Sequence, residues 1–196
     1  MKIVFFDLET GGTDWHIHPI IQIAAIAVNA ELNEVETFER KIKFDESACD
    51  PKALSMNGYS EEIWSKEATC TKTVIRDFSK FLGRHSDIVR RSERTGNPYS
   101  VAQLAGYNAA AFDAPFLQAL YKKSGDFLPA SYRVMDVYQR AIWHFHEDGT
   151  TLESLKLGEV AKLFGVPLDK AHDALEDVRA TIGVYRSIVR AGVLAS

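Results

Sequence analysis

Lys2-Ile3-Val4-Phe5-Phe6-Asp7-Leu8-Glu9-Thr10-Gly11-Gly12 is the stretch on which the reading of this chain turns. Its apolar run, closed by two glycines, has the length and composition of a buried strand. Ile20 to Val28 reads as a second strand, Asn29 and Asn33 bracket a turn, and Thr37 to Phe44 makes a third. Short connections between the three imply an antiparallel meander, because parallel neighbours need a crossover of about a dozen residues or more. Helical spacing comes afterwards: Val74, Phe78, Phe81 and Leu82 before Gly83, then Leu152, Leu155, Val160, Leu163 and Phe164 before Gly165 and Pro167. Val101 to Tyr107 and Tyr132 to Val137 are the remaining strand candidates. The polar segment Ser86 to Ser100, with Arg90, Arg91, Arg94 and Gly96-Asn97-Pro98, reads as a long surface loop or lid. There is no internal repeat or low-complexity tract, and interleaved strands and helices favour one α/β layer structure over residues 1–196.

The bulk numbers narrow the function. A chain of 196 residues that is 46% hydrophobic and 26% charged has ample material for one core. A net charge of -4 argues against a protein that grips nucleic acid with a broad basic surface. It leaves room for a nuclease, since a site built of carboxylates attracts phosphate once divalent metal fills it. Met1 and Lys2 run straight into the first strand, so no secretory signal is expected, and no stretch is long enough to span a membrane. Cys49 and Cys70 have no metal-like spacing and cannot make a disulfide framework, which fits a reducing, cytoplasmic setting.

Three places carry chemistry. Asp7 and Glu9 alternate at the end of the first strand, so period-two geometry points both to one face, where they repel unless a cation lies between them. The alternative is an acid pair at an exposed strand end. Asn108 through Phe112, Asp113 and Pro115 mark a strand-to-helix junction with an acid in the first turn, where sites in α/β proteins tend to lie. The alternative there is that Asp113 complements the helix dipole and Asn108 caps the helix. Near the C-terminus, Leu175, Val178, Ile182, Tyr185 and Val189 form the buried stripe of a long helix that begins at Asp173, with Asp173 and Glu176 spaced as a capping box. That break leaves His172 on a loop beside Asp177, which flanks the stripe and can ligate a metal.

Asp7-Leu8-Glu9-Thr10, then Asn108 through Asp113, then His172 with Asp177 together resemble the DEDD-type 3′-5′ exonucleases, and the histidine is that of the DEDDh, or DnaQ-like, branch. Ile20 to Ala25 is similar to the family's second strand, and Leu155 to Gly165 to its penultimate helix. The insertion between about Arg84 and Ser100 departs from shorter relatives. The resemblance implies a ribonuclease H-like fold: a central mixed five-stranded sheet, three antiparallel strands and then parallel ones, flanked by helices. It implies a metal-dependent enzyme that removes nucleoside monophosphates from the 3′ end of single-stranded nucleic acid, DNA first and RNA as the alternative. Asp7, Glu9, Asp113 and Asp177 would hold two Mg²⁺ or Mn²⁺ ions, oxygen ligands being suited to such cations. His172 would be the general base, since histidine is the residue type that ordinarily changes charge near neutrality. Thr10 and Gly11 are the candidates for 3′-end recognition, with Asn108 and Phe112 as further substrate contacts. Trp15, His16 and His18 are candidates to stack on the terminal base, and Arg84, Arg90, Arg91 and Arg94 to follow the strand. A polymerase or a second copy of the chain is the expected protein partner. The competing readings are a phosphodiesterase acting on small nucleotides and a non-catalytic subunit that binds nucleic acid or a polymerase.

Overall fold

Side-chain alternation along the first strand assigns the two faces of the sheet. In the computed structural model, which describes residues 1–168 and 173–194, β1 runs Ile3–Thr10, β2 Ile20–Val28 and β3 Glu34–Lys41. β1 pairs antiparallel with β2, Ile3 opposite Val28, and β2 pairs antiparallel with β3. The chain then continues through α1 (Pro51–Met56), α2 (Glu61–Glu67), α3 (Thr71–Arg84), the hairpin of β4 (Ser86–Arg91) and β5 (Pro98–Ala102), β6 (Leu104–Gly106) and α4 (Asp113–Ser124). After these come β7 (Met135–Asp136), α5 (Val137–Glu147), α6 (Leu157–Leu163) and α7 (Ala174–Leu194). β6 joins β1 in parallel and β7 joins β6 in parallel, giving a five-stranded mixed sheet in the order β3-β2-β1-β6-β7.

Val4, Phe6 and Leu8 point to one face, where they meet Phe78 and Phe81 of α3 and Phe116 and Leu117 of α4. Ile3 and Phe5 point to the other, where Val137 of α5, Val160 of α6, and Val178 and Ile182 of α7 cover them. Emptying a side chain such as Phe6 from this interior would cost about 3–5 kcal/mol. No helix of the described residues is long and apolar enough to cross a membrane.

Several sequence expectations shift. β3 starts at Glu34 and ends at Lys41, earlier than Thr37 to Phe44, because the turn at Asn29 to Asn33 sets its register and it is an edge strand with Glu34, Val35, Thr37 and Arg40 exposed. Ser86 to Ser100 is not a loop: Val89 pairs with Ser100 and Arg91 with Pro98, and the turn closes where Gly96, at φ +71°, donates its N–H to the Ser92 carbonyl. Val101 to Tyr107 is broken at Gln103, whose side-chain amide donates to the Leu104 and Arg133 carbonyls, so its two halves serve different sheets. Of Tyr132 to Val137 only Met135–Asp136 is strand, since Asp136 caps α5 and turns the chain into helix. Leu152 and Leu155 pack on the core from outside α6. On α7 Ile188 reaches the core, whereas Val189 is 39% exposed.

Candidate active site

The face of β1 that carries Ile3 and Phe5 also carries Asp7 and Glu9, and the same face is covered by α7 only as far as that helix's first turn. The start of α7 is fixed locally. One Asp173 side-chain oxygen accepts the N–H groups of Leu175 (3.2 Å) and Glu176 (3.3 Å), and the Asp173 carbonyl accepts that of Asp177 (2.9 Å). The expected capping box is thus half formed, for the Glu176 carboxylate accepts from Arg179 at 2.8 Å. Asp177 is left over the end of β1. Carboxylate oxygens of Asp7, Glu9 and Asp177 all lie within 4.8 Å of one another, which makes them a potential metal-holding group among the described residues. Asp113 arrives from the other layer as the first residue of α4, and its Oδ1 accepts the Leu8 N–H at 3.1 Å. It stands outside the three-acid group but lines the same cavity of about 300 Å³, together with Thr10, Gly12, Asn57, Asn108 and Phe112.

Burying like charges together has a measurable cost. Burial pushes the Asp7 carboxyl well above its ordinary range, and Asp113, Glu9 and Asp177 push it further. Glu9, only 6% exposed, is pushed up to about 8 by burial first and then by Asp177, Asp113 and Asp173. Asp113 is raised to about 7 by burial, against the opposing pull of the Leu8 N–H and its own backbone N–H. Among the described residues no lysine or arginine lines this cavity to balance the acids. A divalent cation is what such an oxygen set fits, because it would neutralise carboxylates that the protein otherwise keeps partly protonated.

Residues 4–95, which include Asp7 and Glu9, match the family described as Exonuclease (RNase_T). Over 184 residues the chain is 27% identical to a PolC-type DNA polymerase III of Caldanaerobacter subterraneus subsp. tengcongensis, a match that takes in 94% of this chain. Over residues 4–95 the chain is thus similar to the exonucleases of that family. Its fold is that of Escherichia coli exonuclease I solved with single-stranded DNA in a zinc-bound form, with a TM-score of 0.77 and 20% identity over 97% of this chain. A moderately thermophilic exonuclease I from Methylocaldum szegediense superposes with a TM-score of 0.72 and 23% identity over 96% of this chain. The chain spans 11% of the length of the polymerase and 40% of that of either exonuclease I.

The other sequence candidates divide. Thr10 lines the acid cavity and is locked in place: its hydroxyl donates to the Gly12 carbonyl (2.7 Å) and its carbonyl accepts from Asn57 Nδ2 (2.8 Å). Gly11 lies behind it, its N–H given to the Pro19 carbonyl and its own carbonyl accepting from Asp50, while Gly12 and Thr13 face the cavity. A Cβ on Gly11 would come within 2.4 Å of Cys49 Sγ, so that glycine is needed for packing. Asn108 lines the cavity in a left-handed conformation at φ 57°, and the α4 cap position falls on Phe112, so Asn108 shapes the turn and does not cap the helix. The Phe112 ring rests on Phe116, with centroids 5.2 Å apart. His172 lies outside the described residues.

Trp15 and His16 stack at 3.5 Å and, with His18, line a separate cavity of about 560 Å³ above Phe116 and Leu120. Arg84 is committed to Glu36, whereas Arg90, Arg91 and Arg94 are exposed on the hairpin, away from the acid cavity. Two contributors escaped the sequence reading. Asn57 gave no signal beyond an Asn-Gly helix end. Asp136 did give one, since Asp136 followed by Gln139 has capping-box spacing at a helix start.

Proposed function

We propose that this chain is a metal-dependent 3′-5′ exonuclease that shortens single-stranded DNA, and RNA as a second substrate, by releasing nucleoside monophosphates from the 3′ end. The observation that carries the reading is the convergence of Asp7, Glu9 and Asp177 within 4.8 Å, with Asp113 lining the same cavity. Asp7, Glu9, Asp113 and Asp177 are assigned to hold two Mg²⁺ or Mn²⁺ ions. When bound, such ions offset the charge of the scissile phosphate and lower the pKa of a water to near neutrality. The remaining work belongs to the chain. Thr10 and the backbone of Gly12 and Thr13 are held rigidly enough to seat a terminal sugar, and the Phe112 ring, backed by Phe116, offers a stacking surface for its base. His172, next in sequence to the Asp173 cap of α7, is assigned to take the proton of the attacking water.

DNA stands first because a similar fold, E. coli exonuclease I, has been solved with single-stranded DNA. The PolC-type relative makes a polymerase the leading candidate for a protein partner. Matched 5′-labelled single strands of DNA and RNA, incubated with Mg²⁺, Mn²⁺ or chelator, test the proposal. A metal-dependent ladder that shortens from the 3′ end supports it. Internal cuts, or turnover confined to dinucleotide-sized substrates, would replace it with an endonuclease or a small-nucleotide phosphodiesterase.

A further inference from the structure

Asp136 lies at the junction of β7 and α5, outside the set of acids that line the cavity, and spends its carboxylate on two separate parts of the chain. A helix cap needs one oxygen, and Oδ1 supplies it to the Tyr138 N–H at 3.0 Å and the Gln139 N–H at 3.4 Å. The same oxygen also accepts the Asn108 N–H at 3.0 Å, and Oδ2 accepts the Ala110 N–H at 3.0 Å. The second oxygen therefore serves only the turn that leads into α4. That turn needs holding: Asn108 sits at φ 57°, a conformation that non-glycine residues adopt at a cost, and Ala109 folds back against the end of β6. The approach is close enough that a Cβ on Gly106 would come within 2.5 Å of Ala109 Cβ and 2.8 Å of the Phe6 carbonyl oxygen. Gly106 is paired in register with Asp136, so the clamp and the tight approach face each other across β6 and β7. The Asn108 carbonyl then accepts the N–H groups of Ala111 and Phe112, and the next residue is Asp113.

We propose that Asp136 is a positioning residue for the acidic centre. By holding the Asn108 to Ala110 turn it fixes where α4 begins, and so where the Asp113 carboxyl and the Phe112 ring stand. The proposal rests on the exonuclease reading for its kinetic consequences and on the hydrogen bonds alone for its structural ones.

Asp136→Ser separates the two jobs. A serine hydroxyl still accepts the Tyr138 N–H and caps α5, but it is too short and too poor in acceptors to hold Asn108 and Ala110 as well. Asp136→Asn is the second variant, since its amide can offer Ala110 an N–H in place of the oxygen that Ala110 needs. Hydrogen exchange followed residue by residue should show Ala110 losing protection in both variants and Asn108 losing it as well in Asp136→Ser, with Tyr138 still protected in Asp136→Ser. On 5′-labelled single-stranded DNA, kcat per folded molecule should fall about 100-fold in both, as a misplacement of an ångström does, with KM nearly unchanged. A merely structural residue would lower melting temperature and active fraction together and leave kcat per folded molecule intact. Retained protection at Asn108 and Ala110, or a wild-type kcat in the folded variants, overturns the proposal. If the wild-type protein shows no nuclease activity, the functional reading fails, and the exchange data still decide whether the clamp exists.

Discussion

Removing divalent metal and raising the pH should destabilise this protein in a way that the acidic centre specifies. The Glu9 carboxyl moves from an ordinary 4.5 to about 8 on folding, so between those values the folded chain retains a proton that the unfolded chain has released. Unfolding free energy then falls as pH rises through that window, the stabilising contribution being complete below about 4.5 and lost above about 8. At about 1.4 kcal/mol for each pH unit, the charged Glu9 opposes the fold by about 5 kcal/mol at the upper end. Asp113, raised to about 7 by burial, and Asp7, raised by burial and then by Asp113, Glu9 and Asp177, shift in the same direction. Glu36, lowered by its hydrogen bond from Arg84, has already ionised before the window opens. For a domain of this size about 5 kcal/mol corresponds to a fall in Tm on the order of 10 °C. The assay is thermal unfolding in chelator from about pH 5 to 8.5, repeated with saturating Mg²⁺ and with Glu9→Gln. Metal at about one hundred times its Kd returns about 2.7 kcal/mol, so the curve should flatten. Glu9→Gln should flatten it without metal. A Tm that stays level in chelator, or a wild-type slope in Glu9→Gln, would refute the claim that these acids are buried as a mutually repelling group.

His172→Ala should lower kcat by about 100- to 10,000-fold, with the metal-induced rise in Tm retained, whereas Asp7→Ala should lose both; calorimetric Mn²⁺ titration distinguishes them. Gly106→Ala should cost about 1–3 kcal/mol in urea unfolding, since its Cβ would press on Ala109 and the Phe6 carbonyl, and wild-type stability would contradict the close approach described. Reversing the charges of Arg90 and Arg91 on the hairpin should weaken single-strand binding and flatten its salt dependence, as read by fluorescence anisotropy across a salt series, if the hairpin follows the phosphates.

The parts of the fold legible in sequence are those where one physical requirement dominates. β1 and β2 are buried on both faces, so their apolar runs announce them, and two acids interrupting the first run mark the centre. α7 was legible from its cap and stripe. β3 was misplaced because the apolar residues Phe38, Ile42 and Phe44 outweighed Glu34 and Glu36, whose strand conformation comes from pairing with β2. The hairpin of β4 and β5 is hidden for a related reason: from Val89 to Ser100 it is almost wholly exposed, so no burial pattern records its outer part, and only Gly96 betrays the turn. Short helices such as α1 and α2 carry too few turns to show a period. In the site, strand alternation singles out Asp7 and Glu9, and the resemblance to the DEDD-type exonucleases adds Asp113 and Asp177 to them. Asp136 and Asn57 act through backbone N–H and carbonyl groups of residues far away in sequence, and that pairing is set only once the sheet has formed.

The most direct test is a crystal of the protein grown with Mn²⁺ and a nucleoside monophosphate, measured for anomalous scattering at the manganese edge. Two manganese peaks bridged by Asp7, Glu9, Asp113 and Asp177, with the nucleotide's phosphate against them, is the result the account predicts. Density with no manganese at these carboxylates, or manganese bound elsewhere while the acids stay protonated, would contradict it.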